Sequence, residues 1–353
     1  MTEQAFPWPA GTATGIGSLP GIDVAEAQRI VLGELPGLPH LPELPARGPG
    51  ADLVGRGAAL LVELPVELYA GRWRVAARAG RDLRRAYDLL ERDLDQMTGQ
   101  AEGYAGTFKI QAAGPLTLAA GLDLAIGGRM LRDPGAVRDL TESLAEGLRL
   151  HVAEVRRRLP GASVLLQLDE PSLPAVLAGR VRTESGLAAY RPVEAADARG
   201  MLRRVVEAVG VPVVVHCCAP DVPLELIRSA GATAVAFDLD LMTKLDPIGE
   251  AIDAGLGLLV GAVPAADPGT SAGADASGDQ PGGPGPSGGP GPSSARIADR
   301  VRQLWDRLGF PRSRLAEQVV LTPVCGLAGA TPGYARAVLA ACRDAGRRLH
   351  EEG

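Results

Sequence analysis

The chain has 353 residues, of which 46% are apolar and only 3% aromatic, so Ala, Val and Leu must build a large core. Its formal net charge of −6 and the lack of any Lys/Arg block argue against nucleic acid or an anionic membrane surface as a partner. No basic and apolar leader opens the chain and no apolar run approaches ~20 residues, so we expect a cytoplasmic protein without a membrane span.

Eight short β-rich runs alternate with amphipathic segments, which is the pattern of βα units. Several runs are continuously apolar, as parallel strands buried on both faces are. Eight strands with intervening helices over this length predict an α/β fold, a single (β/α)8 TIM barrel, with an open doubly wound sheet as the alternative. The predicted strands are residues 12–18, 38–44, 108–114, 163–169, 211–217, 233–239, 256–262 and 319–325.

Apolar residues at three- and four-residue spacing predict the helices between these strands. The predicted helices are residues 81–102, 133–158, 195–209, 222–230, 295–308 and 332–348. We therefore expect the whole chain, residues 1–353, to form one barrel domain.

One segment, residues 265–294, is almost purely Gly, Pro, Ser, Ala and Asp. It cannot bury apolar area, so we predict a low-complexity, disordered insertion after the seventh strand. A tolerated surface insertion is the simpler interpretation, and a lid over the catalytic face is the alternative.

The barrel prediction places functional side chains at the carboxyl ends of the strands, and two such ends carry soft ligands. His216 and Cys218 lie at the end of the fifth strand and Cys325 at the end of the eighth. Side chains alternate along a strand, so His216 and Cys218 point the same way while Cys217 points into the wall. Two thiolates and an imidazole suit zinc, whereas the alternative is that these cysteines are small buried hydrophobes. Asp238, at the end of the sixth strand, is the nearest carboxylate for a fourth ligand, with water or a substrate thiolate as alternatives.

Two adjacent acids end the fourth strand. Asp169 and Glu170 point to opposite sides, and the face shared with Gln167 selects Asp169 for the pocket. Glu170 is interpreted as a cap of the helix that follows, which Pro171 would begin.

The ends of the first two predicted strands offer further candidates. The backbone amides of Ile16, Gly17 and Ser18 can bind a carboxylate. The alternative is a simple turn, of which this sequence is also typical. Glu43 is a lone acid in apolar surroundings, and it is either a ligand for a cationic group or a solvent-facing loop residue.

The other three histidines carry weaker signals. His151 and His350 lie in charged helical segments, so we expect both at the surface. His40 lies beside the end of the second predicted strand and stays a candidate.

These motifs together resemble the catalytic C-terminal barrel of cobalamin-independent methionine synthase, in the superfamily that also holds uroporphyrinogen decarboxylase. They occur in the family's order over nearly the whole chain outside residues 265–294. The matching segments are IGSLP at 16–20, GPLT at 114–117, QLDEP at 167–171, HCC at 216–218 and PVCGL at 323–327.

The resemblance implies a Zn2+ site and a homocysteine site. His216, Cys218 and Cys325 match three zinc ligands of the family, and Asp238 stands where the family has its fourth ligand, a Glu. The positions that hold the amino-acid part of homocysteine are matched by Ile16, Gly17, Ser18, Glu43 and Asp169. Backbone amides would face the α-carboxylate, and the two acids would face the α-ammonium.

The activity implied is a zinc-dependent methyltransferase that activates homocysteine, or a similar thiol, as a zinc thiolate and methylates it to methionine. Full-length members carry a second, N-terminal barrel that helps to bind methylfolate, and we expect no room for it in this chain. The family's catalytic His after the seventh strand has no counterpart in GAVPAAD at 261–267, so no catalytic residue is assigned beyond the metal site. These departures favour a corrinoid, with a corrinoid carrier protein as its partner, or another activated donor over methylfolate.

Two other functions remain open at this point. A decarboxylase of the uroporphyrinogen type would need Arg groups and an acid rather than a metal. A non-catalytic or divergent zinc barrel that binds a thiol or an amino acid is compatible with the missing His and with Asp in place of Glu.

Overall fold

A parallel β-sheet forms the centre of the molecule in the computed structural model, which describes residues 6–267 and 291–352. An antiparallel hairpin of β1 (Val66–Tyr69) and β2 (Arg72–Val75) precedes the sheet. The sheet strands are β3 (Thr107–Ala113), β4 (Ser163–Asp169), β5 (Val213–Cys217), β6 (Ala234–Asp238), β7 (Gly257–Val263) and β8 (Val319–Pro323). They are adjacent in chain order without a reversal, so the doubly wound alternative is wrong.

The first two predicted strands are not regular strands in the described residues, so the count of eight is not confirmed. Each segment instead makes a single parallel bridge to one edge of the sheet, Ala13 to Leu321 of β8 and His40 to Lys109 of β3. A third parallel bridge joins Ser18 to Glu43, and so connects the two segments. Gly15 and Gly17 interrupt the first segment and Pro39 and Pro42 the second, where each proline lacks the N–H that a ladder needs. The result is a curled six-stranded sheet whose edges are linked by three bridges, consistent with a TIM-like barrel.

Twelve α-helices accompany the strands in the described residues, and the six predicted ones are among them within a few residues at each end. The helices are α1 (Val24–Glu34), α2 (Leu53–Ala58), α3 (Arg81–Gln100), α4 (Pro115–Gly121), α5 (Pro134–Arg158), α6 (Leu173–Leu177), α7 (Ala195–Val209), α8 (Leu224–Ser229), α9 (Asp246–Asp253), α10 (Ser294–Leu308), α11 (Leu315–Gln318) and α12 (Pro332–Glu351). None of them has the length and apolarity that a membrane-spanning helix needs.

Local sequence explains where the long helices begin. Asp133 accepts hydrogen bonds from the backbone N–H groups of Gly135 and Ala136, and Thr331 accepts one from that of Tyr334. Each cap is followed by a proline at the first helical position, where the missing N–H costs nothing.

The segment predicted as an insertion falls mostly on residues 268–290, which lie outside the described residues. Its described ends connect β7 to α10, so it follows the seventh predicted strand as expected.

Strand alternation separates two cores. One face of the sheet packs against the helices, with Leu166 and Leu168 of β4 and Val215 and Cys217 of β5 in one large apolar cluster. The other face carries a smaller apolar cluster to which Leu165 of β4 belongs, together with residues of β5 to β8. Side chains at odd positions of β4 and even positions of β5 and β6 therefore face the interior of the curled sheet.

Candidate metal centre

Three soft ligands meet at the carboxyl end of the sheet. His216 is the second-to-last residue of β5, Cys218 directly follows the strand, and Cys325 lies two residues after β8. The possible ligand atoms of the three residues all lie within 4.8 Å of one another. Cys217 is fully buried in the cluster under the helices, as strand alternation predicts. Residues 107 positions apart in the chain thus form one group that a metal ion can bind.

The imidazole of His216 is already oriented for a metal. Its Nδ1 lies 2.7 Å from Oδ1 of Asp169, and its Nε2 is buried without a hydrogen-bond partner in the structure. A metal-binding histidine usually donates its second ring N–H to a carboxylate, which fixes the tautomer and the ring orientation. The orphaned Nε2, beside two thiols, therefore fits a zinc ion in ligand type and in orientation.

The two thiols beside His216 form a hydrogen bond with each other. The Sγ atoms of Cys218 and Cys325 lie 3.3 Å apart. Their hydrogen bond lowers the pKa of Cys325 to about 6 and raises that of Cys218 above its usual range. Two thiolates at this separation repel each other unless a cation lies between them, so the pair suits a divalent metal.

The structure does not bring Asp238 into this group. Its side chain accepts a hydrogen bond of 2.9 Å from the backbone N–H of Asp240, at the start of a short 3-10 turn. Partial burial raises the pKa of Asp238. Its role as the fourth zinc ligand stays a prediction.

The segment of residues 16–18 lies directly beside the metal ligands. The carbonyl of Ser18 accepts a hydrogen bond of 2.8 Å from the N–H of Leu327, two residues after Cys325. Gly326 packs directly against the Ser18 side chain, because a Cβ at position 326 would clash with Oγ of Ser18 and require it to rotate. Within the described part of the chain, the backbone N–H groups of Gly17 and Ser18 have no protein acceptor. They are free to bind an anionic group.

Glu43 is a buried acid, so its interpretation as a solvent-facing loop residue is wrong. Only 7% of the residue is exposed, and its Oε1 lies 3.2 Å from Nε of Arg56. Burial raises the pKa of Glu43 to about 7, although Arg56 opposes the shift; Asp169 raises it further. The carboxylate is therefore poised to ionise near neutral pH and to pair with a cation.

Asp169 faces the interior, as its shared face with Gln167 predicts. Its Oδ1 accepts a hydrogen bond of 2.7 Å from the Gln167 side chain and contacts Nδ1 of His216. The same carboxylate therefore touches the metal site on one side and lies near Glu43 on the other.

Glu170 does not cap the following helix, and that prediction is wrong. Its carboxylate accepts hydrogen bonds of 2.9 and 2.7 Å from the N–H groups of Leu116 and Thr117, and one of 2.7 Å from the Thr117 hydroxyl. It therefore caps α4, which precedes it by more than 40 residues in the chain. Burial raises the pKa of Glu170 to about 7 in spite of these hydrogen bonds.

The histidine predictions are partly wrong. His350 is exposed as expected, but His151 is buried, and burial together with nearby Arg56 lowers its pKa to about 3. His40 is also fully buried, and neither ring nitrogen has a hydrogen-bond partner among the described residues. Because its pKa is lowered by burial and by Lys109, His40 is a neutral residue of the interior.

Sequence reasoning missed a set of polar side chains inside the curled sheet. They are Lys109 and Gln111 of β3, Gln167 of β4, and Arg56 of α2, all of them buried. The available signal was polar residues in otherwise apolar strand sequences, FKIQAA and SVLLQLD.

Residues 10–245, about two thirds of the chain, match the family described as the cobalamin-independent synthase catalytic domain. The matched range includes His216, Cys218 and Asp238 and ends before Cys325. No curated protein sequence matches the chain.

One of two solved structures compared with the chain shows the same fold. A B12-independent methionine synthase from Shewanella sp. W3-18-1, in complex with selenomethionine, aligns with a TM-score of 0.58 at 12% identity, over 98% of this chain and 99% of that chain. The carboxyl transferase domain of pyruvate carboxylase from Rhizobium etli is 12% identical over 71% of this chain and 43% of that one, with a TM-score of only 0.25. The first likeness supports the fold, and the second is too weak to support an argument.

Proposed function

Because the chain belongs to the family of cobalamin-independent synthase catalytic domains, we propose that it is a zinc-dependent methyltransferase that converts homocysteine to methionine. The observation that carries the proposal is the group of His216, Cys218 and Cys325, with its ligand atoms within 4.8 Å. The Shewanella protein of the same fold is named a methionine synthase and holds selenomethionine, an analogue of the proposed product.

Zinc, when bound, supplies a Lewis acid that lowers the pKa of a thiol, and the thiolate is the nucleophile that attacks a methyl group. His216 would bind the ion through Nε2, since Asp169 occupies Nδ1. Cys218 and Cys325 would bind it as thiolates, which suits a metal that prefers sulfur and nitrogen ligands.

The amino-acid end of homocysteine would bind beside the metal. The unpaired N–H groups of Gly17 and Ser18, in the segment that begins at Ile16, would take the α-carboxylate. The carboxylates of Glu43 and Asp169 would take the α-ammonium in charge-assisted hydrogen bonds. In this arrangement the substrate sulfur points toward the cysteines, because Ser18 packs against Gly326, next to Cys325.

Asp238 is proposed as the fourth ligand when no thiol is bound. Ala234 and Ala236 of β6 belong to the interior cluster, and Asp238 continues the same face of that strand. Its side chain would have to leave the backbone N–H of Asp240 to reach the metal. An Asp238→Ala variant is then expected to bind zinc more weakly than the wild type, as measured by competition with a chelating dye.

The methyl donor is proposed to be a corrinoid, presented by a carrier protein, rather than methylfolate. Residues 261–267, at the end of β7, read GAVPAAD and contain no histidine in place of the family's proton donor. A folate amine needs a proton as it leaves, whereas a cobalt(I) corrinoid leaves without one. The missing histidine therefore supports a donor, such as a corrinoid, whose leaving group needs no proton.

The test combines metal analysis of the purified protein with an assay of methionine formation from homocysteine. Methylcobalamin and methyltetrahydrofolate are offered in parallel. We expect one zinc ion per chain and methionine formation with methylcobalamin. A folded protein that takes up no zinc would contradict the proposal.

A zinc barrel that binds a thiol without methylating it is the second candidate function. The missing proton donor after β7 favours it, because a family member with that loss can retain binding after losing turnover. Tight zinc and homocysteine binding, without methionine from any donor, would identify this case. A decarboxylase of the uroporphyrinogen type is disfavoured, since its chemistry uses no metal and the site is built around a His/Cys group.

A further inference from the structure

Lys109 is an unusual residue in this chain. Only two of the 36 basic residues are lysines, Lys109 and Lys244, and the rest are arginines. Lys244 is exposed, whereas Lys109 lies in β3 and is completely buried in the interior of the curled sheet. A buried ammonium is costly unless hydrogen bonds and opposite charges compensate it, so this position has a specific function.

Three acceptors surround the Lys109 ammonium. Its Nζ donates hydrogen bonds to the carbonyl of Ile16 at 3.0 Å and to Oε1 of Gln167 at 2.8 Å, with a longer contact to Oε1 of Gln111 at 3.4 Å. These partners come from three different segments, namely residues 12–18, β4 and β3 itself. β3 and β4 already pair in a parallel ladder, so the ammonium adds a link from these two strands to residues 12–18, which make no backbone bridge to either strand in the described part of the chain.

Each hydrogen-bond partner of Lys109 lies beside a different part of the proposed amino-acid site. Gln167 donates from Nε2 to Oδ1 of Asp169 at 2.7 Å and to the Ile16 carbonyl at 2.8 Å. Gln111 donates from Nε2 to the Leu41 carbonyl, two residues before Glu43, and its side chain lowers the pKa of the Glu43 carboxyl. The Ile16 carbonyl, held by two donors, precedes the peptide N–H groups of Gly17 and Ser18.

We propose that Lys109 is the positioning residue of the amino-acid end of the site, acting through Ile16, Gln167 and Gln111. Its ammonium holds the backbone that would bind the α-carboxylate and the two amides that orient Asp169 and Glu43. The inference rests on the proposed function, since it assigns to Lys109 the recognition of the amino-acid group and not the binding of the metal.

The charges around Glu43 agree with this role. Burial has the largest effect on the pKa of Glu43 and raises it. Asp169 from β4 raises this pKa further, whereas Arg56 from α2 and Lys109 from β3 lower it. The pKa of Lys109 is itself lowered to about 8 by burial, which Asp169 and Glu43 oppose. Before substrate binds, the cations of Arg56 and Lys109 thus face the carboxylates of Glu43 and Asp169. These two carboxylates can still bind the ammonium group of a substrate.

The first experiment compares K109M with the exposed matched control K244M, both loaded with zinc. Methionine binding is measured by titration calorimetry between pH 6 and pH 9, alongside the zinc content. We expect K109M to keep its zinc and to bind methionine about ten- to a hundredfold more weakly, the range for lost hydrogen bonds to a charged group. The pH dependence of the remaining binding should move to higher pH, because Glu43 loses one of the cations that favour its ionised form.

Two results would overturn the inference. One is a folded, zinc-loaded K109M that binds methionine as the wild type does, with an unshifted pH dependence. The other is a folded K109M without zinc, which would assign Lys109 to the metal site instead. K244M should match the wild type in both measurements.

A second experiment uses the unmodified chain and so remains decisive if K109M does not fold. Lysine labelled with 13C at Cε gives only two NMR signals in this protein, and K244M assigns them. We expect the Lys109 signal to titrate with a pKa of about 8, below the usual lysine value, and to shift when methionine is added. If the wild type binds methionine and the Lys109 signal stays unmoved, the inference alone is wrong. If the zinc-loaded wild type binds neither methionine nor homocysteine, the proposed function is wrong and the inference fails with it.

Discussion

The different environments of neighbouring residues at the metal centre follow from the two-residue period of a strand. His216 and Cys218 lie on one side of the end of β5, and Cys217 between them packs under the helices. The three neighbours thus differ in environment although two of them are the same amino acid. The proposed zinc site therefore depends on Cys218 and Cys325, whereas Cys217 and Cys342 serve only packing.

Replacing either proposed thiolate ligand should remove the metal. We expect Cys218→Ser and Cys325→Ser to lose zinc together with thiol methylation, because serine is a poor zinc ligand. Cys342→Ala is the matched control, a buried cysteine in α12 that should keep full zinc occupancy. Elemental analysis of the three purified variants measures the difference, and a Cys218→Ser protein with one zinc per chain would refute the assignment.

Glu43 predicts how ligand binding depends on pH. Because its pKa is raised to about 7, the carboxylate becomes ionised as the pH rises from 6 to 8 and then binds an ammonium group. Methionine has no thiol that titrates, so we expect its affinity to increase about tenfold over this range, as one ionising group requires.

Calorimetry at pH 6, 7 and 8 on the zinc-loaded protein measures this increase. In Glu43→Gln the affinity should be low and independent of pH. An equal increase in Glu43→Gln would mean that another group controls binding.

At the scale of elements, one buried acid connects two βα units. Glu170 follows β4, yet it caps α4, which belongs to the preceding unit. The backbone N–H groups at the start of a helix need acceptors, and here the acceptor comes from a neighbouring strand rather than from the residue before the helix. Local sequence cannot reveal such a cap, because the two segments meet only when β3 and β4 pair.

Glu170→Gln should destabilise the fold in a pH-dependent way. The amide nitrogen cannot accept a hydrogen bond, so we expect a loss of about 1–3 kcal/mol in the free energy of unfolding near pH 5. The raised pKa of Glu170 means that the folded state binds its proton more tightly than the unfolded state does, so wild-type stability falls as the pH rises from about 5 through 7. The difference between the two proteins should therefore shrink toward pH 8.

Urea denaturation at pH 5 and pH 8 checks this prediction. Glu102→Gln, at an exposed position, is the control and should match the wild type at both pH values. If the difference in unfolding free energy between wild type and Glu170→Gln grew with pH, folding would lower the pKa of Glu170 instead of raising it.

At the scale of the whole molecule, the proposed metal would connect the ends of β5 and β8, which lie three strands apart in the sheet. An ion that binds only the folded chain stabilises it by mass action. The segment of residues 12–18 lies beside the same group and contacts both Glu43 and Leu327. The metal site is thus close to the place where the two edges of the sheet are linked.

Removing the metal should therefore lower thermal stability. We expect a chelator to decrease the melting temperature of the zinc-loaded wild type by roughly 5 to 10 °C. The melting temperature of Cys325→Ser should not respond to the chelator, because that variant holds no ion. Differential scanning calorimetry with and without chelator makes the comparison, and equal responses of the two proteins would contradict it.

Much of the fold was predictable because buried parallel strands and amphipathic helices carry strong periodic signals. All six sheet strands and all six predicted helices fall where the sequence places them, whereas α1 and α9 were not predicted. The short helices, such as α4 with its apolar PLTLAAG, carry too few turns for a period to be recognised. The segments at 12–18 and 38–44 have the positions of strands but not their regular pairing, since their Gly and Pro residues prevent a ladder.

The sequence by itself determined the order of the βα units and the residues that end each strand, because both depend on local periodicity. It therefore identified His216, Cys218 and Cys325 and the acids Glu43 and Asp169 before any contact was known. Only the tertiary structure decided which of these groups meet, how deeply Glu43 is buried, and that Glu170 caps a distant helix. It also revealed Lys109 at the centre of the interior. Burial and hydrogen bonding there depend on side chains from several strands, and no single stretch of sequence contains that information.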